Sequence, residues 1–481
     1  MNILLICPTF DYAKDVEEEI FKTSAPTLGV NTLGTILRKK GHKVIVLDLL
    51  YHLLCNRYDG NMSFLERIKE IIKKKDIEIV GITVLTHLRG QAIEIAKITK
   101  DINSDIKVVF GSYHSSYMHK QMLENYSRVI DFVCIGEGEE TFPELIKVIE
   151  KKENLNNVRG IAFNDSIGKV IVTQSRPYCD FDSLPSLDYS QYIEISPDKK
   201  LNKAMLFTTR GCPSPCCIFC STKFLDKKFR VRSIQNVIRD LEILSKDYGV
   251  REISFHDDTI FFDKERSITI FKEMIQRKIK FENVYMHCRI EDIDKDILKW
   301  ANKADCNSIF LGVESGSQKI RNILKKPNSS SITNDIIIEK INIIKEAGRK
   351  VGIFLIFGNP DETLDDIKET YRLMEKINPD DSQSTTLKIY PGTQLFQLAK
   401  KKGIIKENDF LNLNIPYFTY ARGNNFLFAR AARQVFMDKF ENSSIRSKFE
   451  GVWDDLVTDF SKDDLERIEM YKEKIIKYIS N

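Results

Sequence analysis

The sequence predicts an α/β protein in three parts. A doubly wound sheet occupies residues 1–152, a partial barrel of six strand–helix units occupies 201–400, and a helical extension runs over 401–481, with a hairpin and linker at 153–200. Three observations lead there. Short apolar strands alternate with amphipathic helices in two separate stretches, the pattern of parallel sheets. At 481 residues the chain is too long for one ordinary domain. Several strands end in Gly, Ser, Thr or a charged residue, which puts polar chemistry on the edge where such sheets bind ligands.

In the first stretch "NILLIC", "KVIVLD", "IEIVGIT", "IKVVFG" and "FVCIGEG" read as strands. The helices between them are "TLGVNTLGTILRKKGH", which ends at Gly41 as a C-cap, "FLERIKEIIKKKD", "GQAIEIAKITKDIN" and "EETFPELIKVIEKK". Residues 158–173, "VRGIAFNDSIGKVIVT", alternate on both sides of Asn164–Gly168, as a hairpin does. "SRPYCDFDSLPSLDYSQY" has two prolines and reads as a linker.

The second alternation begins at residue 204. Its strands are "AMLFTTR", "EISFHDD", "VYMHCRI", "SIFLGVE", "VGIFLIFG" and "QSTTLKIY", with helices near 234–247, 264–278, 293–304, 334–347 and 364–377. The residues that follow successive strands are a cysteine loop, Asp257-Asp258, Arg289, Glu314 and Gly358. That coincidence at barrel strand ends argues for an enzyme. The extension, with its aromatic "NIPYFTYARGNNFLF", is either packing against the barrel or a cover over substrate.

Composition excludes several classes. The 73 basic and 69 acidic residues leave a net charge of +4, which makes no case for a nucleic-acid partner. Lys73-Lys74-Lys75 reads as a solvated helix end. No apolar run reaches the ~20 residues of a membrane span. "MNILLICPTFD" has neither a basic n-region nor a small-residue cleavage site, so a cytoplasmic protein is expected. There, clustered cysteines are metal ligands or redox groups rather than disulfides. Cys7, Cys55, Cys134, Cys179 and Cys306 are expected as buried apolar residues, with Cys288 open to a site role.

Four of the ten cysteines fall within nine residues of "TTRGCPSPCCIFCSTKF", 208–224. Cys212, Cys217 and Cys220 have the spacing C-x4-C-x2-C. Closely spaced thiolates on a loop hold iron–sulfur clusters. Three thiolates on a four-iron cluster leave one iron open, as in a site that binds a substrate or cofactor. A zinc site would want a fourth ligand nearby, and a redox dithiol is the other alternative.

"RGCPSPCCIFCS", with Phe219 before the last cysteine, resembles the cluster loop of the radical S-adenosylmethionine (radical SAM) superfamily. That family usually spaces its cysteines C-x3-C-x2-C, and this loop has one residue more. "CIFC" fits the second half and selects Cys217 and Cys220, with Cys212 first and Cys216 spare; Cys212, Cys216 and Cys220 is the alternative set. "FHDDTIFFDKER", "CRIEDIDKDIL", "IFLGVESGSQKIRNILKK", "IFGNPDET" and "YPGTQLFQLA" resemble the later motifs of cobalamin (B12)-binding radical SAM enzymes. "PTLGVNTLGTILRKKGHKVIVLD" and "FVCIGEGEETFPEL" resemble their cobalamin-binding domain, so the resemblance covers roughly residues 1–400. Departures are Asp361 where G-x-P-G-E-T has glycine, "GSYHS" at 111–115 where a "GGPH" loop is usual, and no D-x-H-x-x-G. His42 and His114 are not in the context of a cobalt ligand.

The resemblance implies a Rossmann-like cobalamin-binding domain, a TIM-barrel-derived radical SAM domain, and three cofactors: a 4Fe-4S cluster, S-adenosylmethionine (SAM) and cobalamin. The open iron would chelate SAM, an external donor such as flavodoxin or ferredoxin would supply an electron, and a 5′-deoxyadenosyl radical would take hydrogen from the substrate. Phe219, Asp257, Asp258, Arg289, Glu314 and Gly358 would meet SAM. The carboxylates would bond its ammonium, Arg289 its carboxylate, and Gly358 would admit the adenosyl group. Thr83, Thr86, Gly111, His114, Gly136, Glu137 and Gly138 would line the corrin. Structural alternatives are a helix N-cap for Asp258, pairing with Glu291 or Asp292 for Arg289, and turn roles for Glu314 and Gly358. The expected reaction is methylation of an unactivated carbon of a small-molecule or peptide substrate. A radical cyclase or rearranging enzyme, and a non-catalytic iron–sulfur sensor, are the other readings.

Overall fold

The structure is a computed structural model that describes the chain apart from residues 10–24, 55–63, 197–198, 215, 223–227, 327, 416, 441–460 and 481. The chain divides into two compact units. Met1–Met205 with Lys406–Pro416 form the first, and Leu206–Ile405 with Tyr417–Asn481 the second.

The first unit is built on β1 (Asn2–Cys7), β2 (Lys43–Asp48), β3 (Ile79–Thr83), β4 (Lys107–Gly111), β5 (Phe132–Cys134), β6 (Ile161–Asn164) and β7 (Val170–Val172). Their order in the sheet is β2-β1-β3-β4-β5-β6-β7. The first five run parallel, and β6 and β7 close the edge as the antiparallel hairpin that the sequence predicts. The reversal of order at β1 is the doubly wound switch point. The parallel strands are almost wholly apolar because helices cover both faces: Ile3, Leu4, Ile6, Ile79, Val80 and Val108 are fully buried. Those helices are α1 (Leu28–Lys39), α2 (Leu49–Leu54), α3 (Phe64–Lys74), α4 (Arg89–Ile102), α5 (Tyr113–Tyr126) and α6 (Gly138–Lys151), with the short α7 (Ser190–Ile195) following the hairpin. Gly41, just past α1, takes φ +87°, the left-handed turn that stops the helix.

The second unit holds six parallel strands in sequential order: β8 (Lys203–Leu206), at whose end the two units divide, β11 (Glu252–Phe255), β12 (Asn283–Cys288), β13 (Ser308–Glu314), β14 (Lys350–Phe357) and β15 (Asp381–Thr386). Between β8 and β11 a two-stranded ladder joins β9 (Thr209–Arg210) to β10 (Arg230–Val231). Sequential order with right-handed crossovers puts all the connecting helices on one face of this partial barrel. They are α8 (Ile234–Glu242), α9 (Lys264–Gln276), α10 (Lys295–Lys303), α11 (Gln318–Ile323), α12 (Asn334–Glu346) and α13 (Leu364–Ile377). Five of them start on side-chain caps that the sequence carries openly, Ser233, Asp263, Asp294, Thr333 and Thr363. Then come α14 (Gln394–Lys401), α15 (Asn424–Phe440) and α16 (Lys462–Ser480). Cys7, Cys134, Cys179, Cys288 and Cys306 are buried, and Cys55 lies outside the described residues. Among the described residues no helix is long and apolar enough to cross a membrane.

Candidate functional site

The cysteine loop hangs from fixed points on the barrel. The β9–β10 ladder closes its base. Above β9, the amides of Thr208 (2.9 Å) and Thr209 and the Thr209 hydroxyl (2.6 Å) all donate to Asp257 Oδ1, so a carboxylate at the end of β11 fixes where the loop departs from β8. Gly211 turns at φ +86° immediately before Cys212. Further along, Ile218 is buried; its amide donates to the Leu324 carbonyl (3.1 Å) and its carbonyl accepts from Leu395 N–H (2.8 Å).

On that frame Cys212, Cys216, Cys217, Phe219 and Cys220 stay partly exposed, while Pro215 lies outside the described residues. Burial pushes Cys212 up to about 11 and Cys217 up to about 12, and raises Cys220 as well. Cys220 acts electrostatically on both Cys212 and Cys217, whereas Cys216 acts on its neighbour Cys217. Thiols in such surroundings ionise when a cation binds them, and that suits them as a set of soft metal ligands. Among the described residues no three Cys, His, Asp or Glu side chains close on the centre of a single metal ion.

Glu314 ends β13 with φ +65°, where a register shift between Gly312 and Glu314 turns its carboxylate inward. It is 7% exposed and accepts a 2.9 Å bond from Lys326 Nζ. Burial pulls Lys326 down, but Glu314 and Cys217 outweigh it and hold the ammonium above the ordinary lysine range. Gly312 lies under the pair. A Cβ there would stand 2.8 Å from Glu314 Oε1 and 3.1 Å from Lys326 Nζ. Both ends of this ion pair act on Cys217. The sequence reading does not find Lys326, because it lies twelve residues beyond Glu314, past α11, and no local periodicity joins them. A small cavity lined by Arg289, Glu291, Gly312, Arg321 and Lys326 lies beside the pair.

The other predicted SAM contacts separate. Asp257 is 2% exposed and spends one oxygen on the loop; its other oxygen is buried with no hydrogen-bond partner among the described residues, and burial raises the acid to about 6. Asp258 is exposed, acts on Cys212 and Cys220, and is not the cap of α9, which is Asp263. Arg289 directs its fork to Asp292 at 2.8 and 2.7 Å, the pairing that was its structural alternative. Gly358 has φ +78°, and a Cβ there would stand 3.1 Å from Ala429 and 3.3 Å from Ala421. Asp361, where the family usually has glycine, holds φ +56°, the conformation glycine adopts without strain.

In the first unit the residues after β3, β4 and β5 share the sheet's C-terminal edge. Thr83 pairs with Gly111 across that edge. Among the described residues no atom lies within 4 Å of a Cβ built on Gly111 or Gly136, and Gly136 takes φ +84°. The Gly136 amide donates to Ser116 Oγ (3.0 Å), Glu137 accepts from the Cys179 amide (3.0 Å), and Gly138 opens α6 against Leu33. Thr86 and His114 are buried against each other. His114 is 2% exposed, its Nδ1 lies 3.2 Å from Thr86 Oγ1, its ring meets Phe410, and burial lowers it to about 3. Phe410 belongs to Lys406–Pro416, a segment whose place in this unit the sequence does not signal. Arg89 holds it there, donating to the carbonyls of Phe410 (2.7 Å), Asn412 (2.6 Å) and Ile415, and Tyr126 donates to Leu411 O (3.1 Å).

Residues 21–146 match the B12 binding domain and residues 206–374 the radical SAM superfamily. An uncharacterized methyltransferase of Pyrococcus horikoshii, PH0819, is 31% identical over 424 residues, 87% of this chain and 86% of that protein. An anaerobic magnesium-protoporphyrin IX monomethyl ester cyclase of Rubrivivax gelatinosus is 27% identical over 69% of this chain and 60% of its own length. Among solved structures, the cobalamin-dependent SAM radical enzyme OxsB with aqua-cobalamin bound superposes with a TM-score of 0.70 at 18% identity, covering 99% of this chain and 80% of that one.

Proposed function

From the premise that this chain belongs to the cobalamin-binding radical SAM enzyme family, we propose that it cleaves SAM reductively at a four-iron cluster and methylates an unactivated carbon of a small-molecule or peptide substrate. The cluster supplies the electron that breaks the SAM carbon–sulfur bond, and cobalamin supplies the methyl-transfer chemistry. An external donor such as flavodoxin or ferredoxin feeds the cluster in the cytoplasm.

The chain's own residues hold, orient and shield these groups. Cys212, Cys217 and Cys220 hold the cluster. The observation that carries the reading is the buried Glu314–Lys326 pair acting on Cys217. A carboxylate and an ammonium side by side match, with opposite signs, the ammonium and carboxylate of the amino-acid end of SAM. Glu314 accepts from the ammonium and Lys326 donates to the carboxylate, each giving up part of its bond to the other. Asp258, exposed beside Cys212 and Cys220, is the second acceptor. Asp257 and Arg289 act behind this layer, Asp257 by fixing the loop and Arg289 by ordering the turn after β12. Gly358 and Phe219 bound the adenosyl side. In the first unit Thr83, Gly111, Gly136, Glu137 and Gly138 form the corrin edge, where Gly111 and Gly136, clear of the described residues, leave the cradle a flat macrocycle needs. Thr86 and His114, bonded to each other, would back that wall.

Anaerobic reconstitution with iron, sulfide and cobalamin tests the reading. Cys217→Ala abolishes the brown four-iron absorbance and Cys216→Ala spares it. Label from methyl-labelled SAM appears in product; a labelled cofactor pool with unlabelled product would instead favour a cyclase, the activity named for the Rubrivivax relative. Failure of the wild-type protein to bind a four-iron cluster overturns the enzyme class.

A further inference from the structure

The inner face of the six-stranded sheet, opposite the helices, carries a run of rings. On β12, Val284, Met286 and Cys288 are at most 4% exposed, whereas Tyr285 and His287, which alternate with them, are half-exposed on the inner face. Register places His287 beside Phe310 of β13, and Phe354 of β14 beside Gly312. Ring centroids follow one another from strand to strand: Phe207 to His256 at 5.3 Å, His256 to His287 at 6.0 Å, His287 to Phe354 at 5.7 Å and Phe354 to Phe310 at 5.6 Å. Most of these contacts are edge-to-face. His287 is the hub, touching His256, Phe310 and Phe354.

Two features separate this run from a packed barrel core. First, a core of that kind is aliphatic and sealed. Here Phe207, His287 and Phe354 stay half-exposed and His256 is exposed, although all four belong to sheet strands or their ends. Second, room has been kept for the rings. A Cβ on Gly352 would stand 2.3 Å from the Phe310 ring. The run also lies one layer below the strand-end residues: Glu314 is four residues beyond Phe310 and Arg289 two beyond His287, on the same strands.

We propose that this ring run is the substrate floor, and that it selects a small molecule presenting a flat unsaturated face, with His287 as the specificity-determining residue. This rests on the reading above, in which substrate reaches the strand ends. Edge-to-face rings leave both hydrogen-rich edges and electron-rich faces toward the opening, which favours a π-surface over an aliphatic one of equal size.

The test is binding to the cluster-reconstituted protein, followed by calorimetry, of 2-naphthoate and its saturated counterpart decalin-2-carboxylate. Naphthoate is expected to bind about fivefold tighter or more. His287→Leu and Phe354→Leu, which keep apolar volume but remove a ring, are expected to abolish that preference while the cluster absorbance stays at the wild-type level. Equal affinity of the two probes for the wild-type protein overturns the proposal whether or not either variant folds, and so does a preference that survives both substitutions. Cluster absorbance in the same samples reports separately on the radical SAM reading.

Discussion

Replacing Asp257 by asparagine separates a loop anchor from a SAM ligand. All three bonds to this side chain enter Oδ1, and an asparagine carbonyl accepts the same three. The other oxygen is buried without a hydrogen-bond partner among the described residues, so an amide nitrogen there loses no bond that the carboxylate has. What changes is the charge. Burial raises the folded acid from 3.8 to about 6, and the Thr209 and Thr208 bonds only partly offset this. Because the folded value lies above the unfolded one, the wild type has its full stability below pH ~4 and loses it as pH rises toward ~6, when the unfolded chain releases the proton more readily. The complete loss is about 3 kcal/mol. An asparagine side chain does not titrate. The Asp257→Asn variant is therefore expected to be more stable than wild type by about 1.5 kcal/mol at pH 5 and about 3 kcal/mol at pH 8, converging at lower pH. Urea unfolding of the cofactor-free protein across that range measures the gap, and SAM affinity of the reconstituted protein should be unchanged. A gap that does not vary with pH, or an asparagine variant less stable than wild type at pH 8, would refute the reasoning.

Four other substitutions address the loops after β13 and β14. Gly316→Ala puts a Cβ 2.4 Å from Thr370 Cα, in the backbone of α13, and should cost at least about 3 kcal/mol in a urea midpoint analysis. Lys326→Met leaves the Glu314 carboxylate buried alone and should cost about 3 kcal/mol; adding Glu314→Gln should recover most of that, and both variants should weaken SAM binding. Asp361→Gly relieves a left-handed φ of +56° at an exposed site and should stabilise by about 0.5–1 kcal/mol, less the entropy that glycine adds to the unfolded chain, as read from the thermal midpoint.

Much of this architecture is legible from local pattern. Strands such as "VGIFLIFG" are apolar runs, and α9, α10, α12 and α13 begin at caps that stand in plain text, so the barrel's alternation can be read directly. The helix α5 escapes such a reading. It is polar and weakly amphipathic, and it starts after Ser112 at φ +84°. Within the site, position along the barrel brings Glu314 and Asp258 to notice, but not what each side chain turns toward. Arg289 closes on Asp292 three residues away, and Asp257 turns back to Thr208 and Thr209; a carboxylate facing a cluster and one facing a backbone look alike in a sequence. Lys326 meets Glu314 only after an intervening helix, and Phe410 meets His114 nearly three hundred residues away, so no spacing rule could have joined them.

Arg89 constrains how this chain can be cut or recombined. Its guanidinium is buried, and besides the Thr86 carbonyl its acceptors are carbonyls of a segment that follows the barrel strands in the chain. The N-terminal module is therefore not a bead that can be cut at residue 205. A fragment ending there would strand a buried cation with its bonds to Phe410, Asn412 and Ile415 unmade, and a chimera borrowing this module would have to bring 406–415 with it. The chain passes from one unit to the other three times, after Met205, Ile405 and Pro416, so recombination between relatives is constrained at three crossover points rather than one.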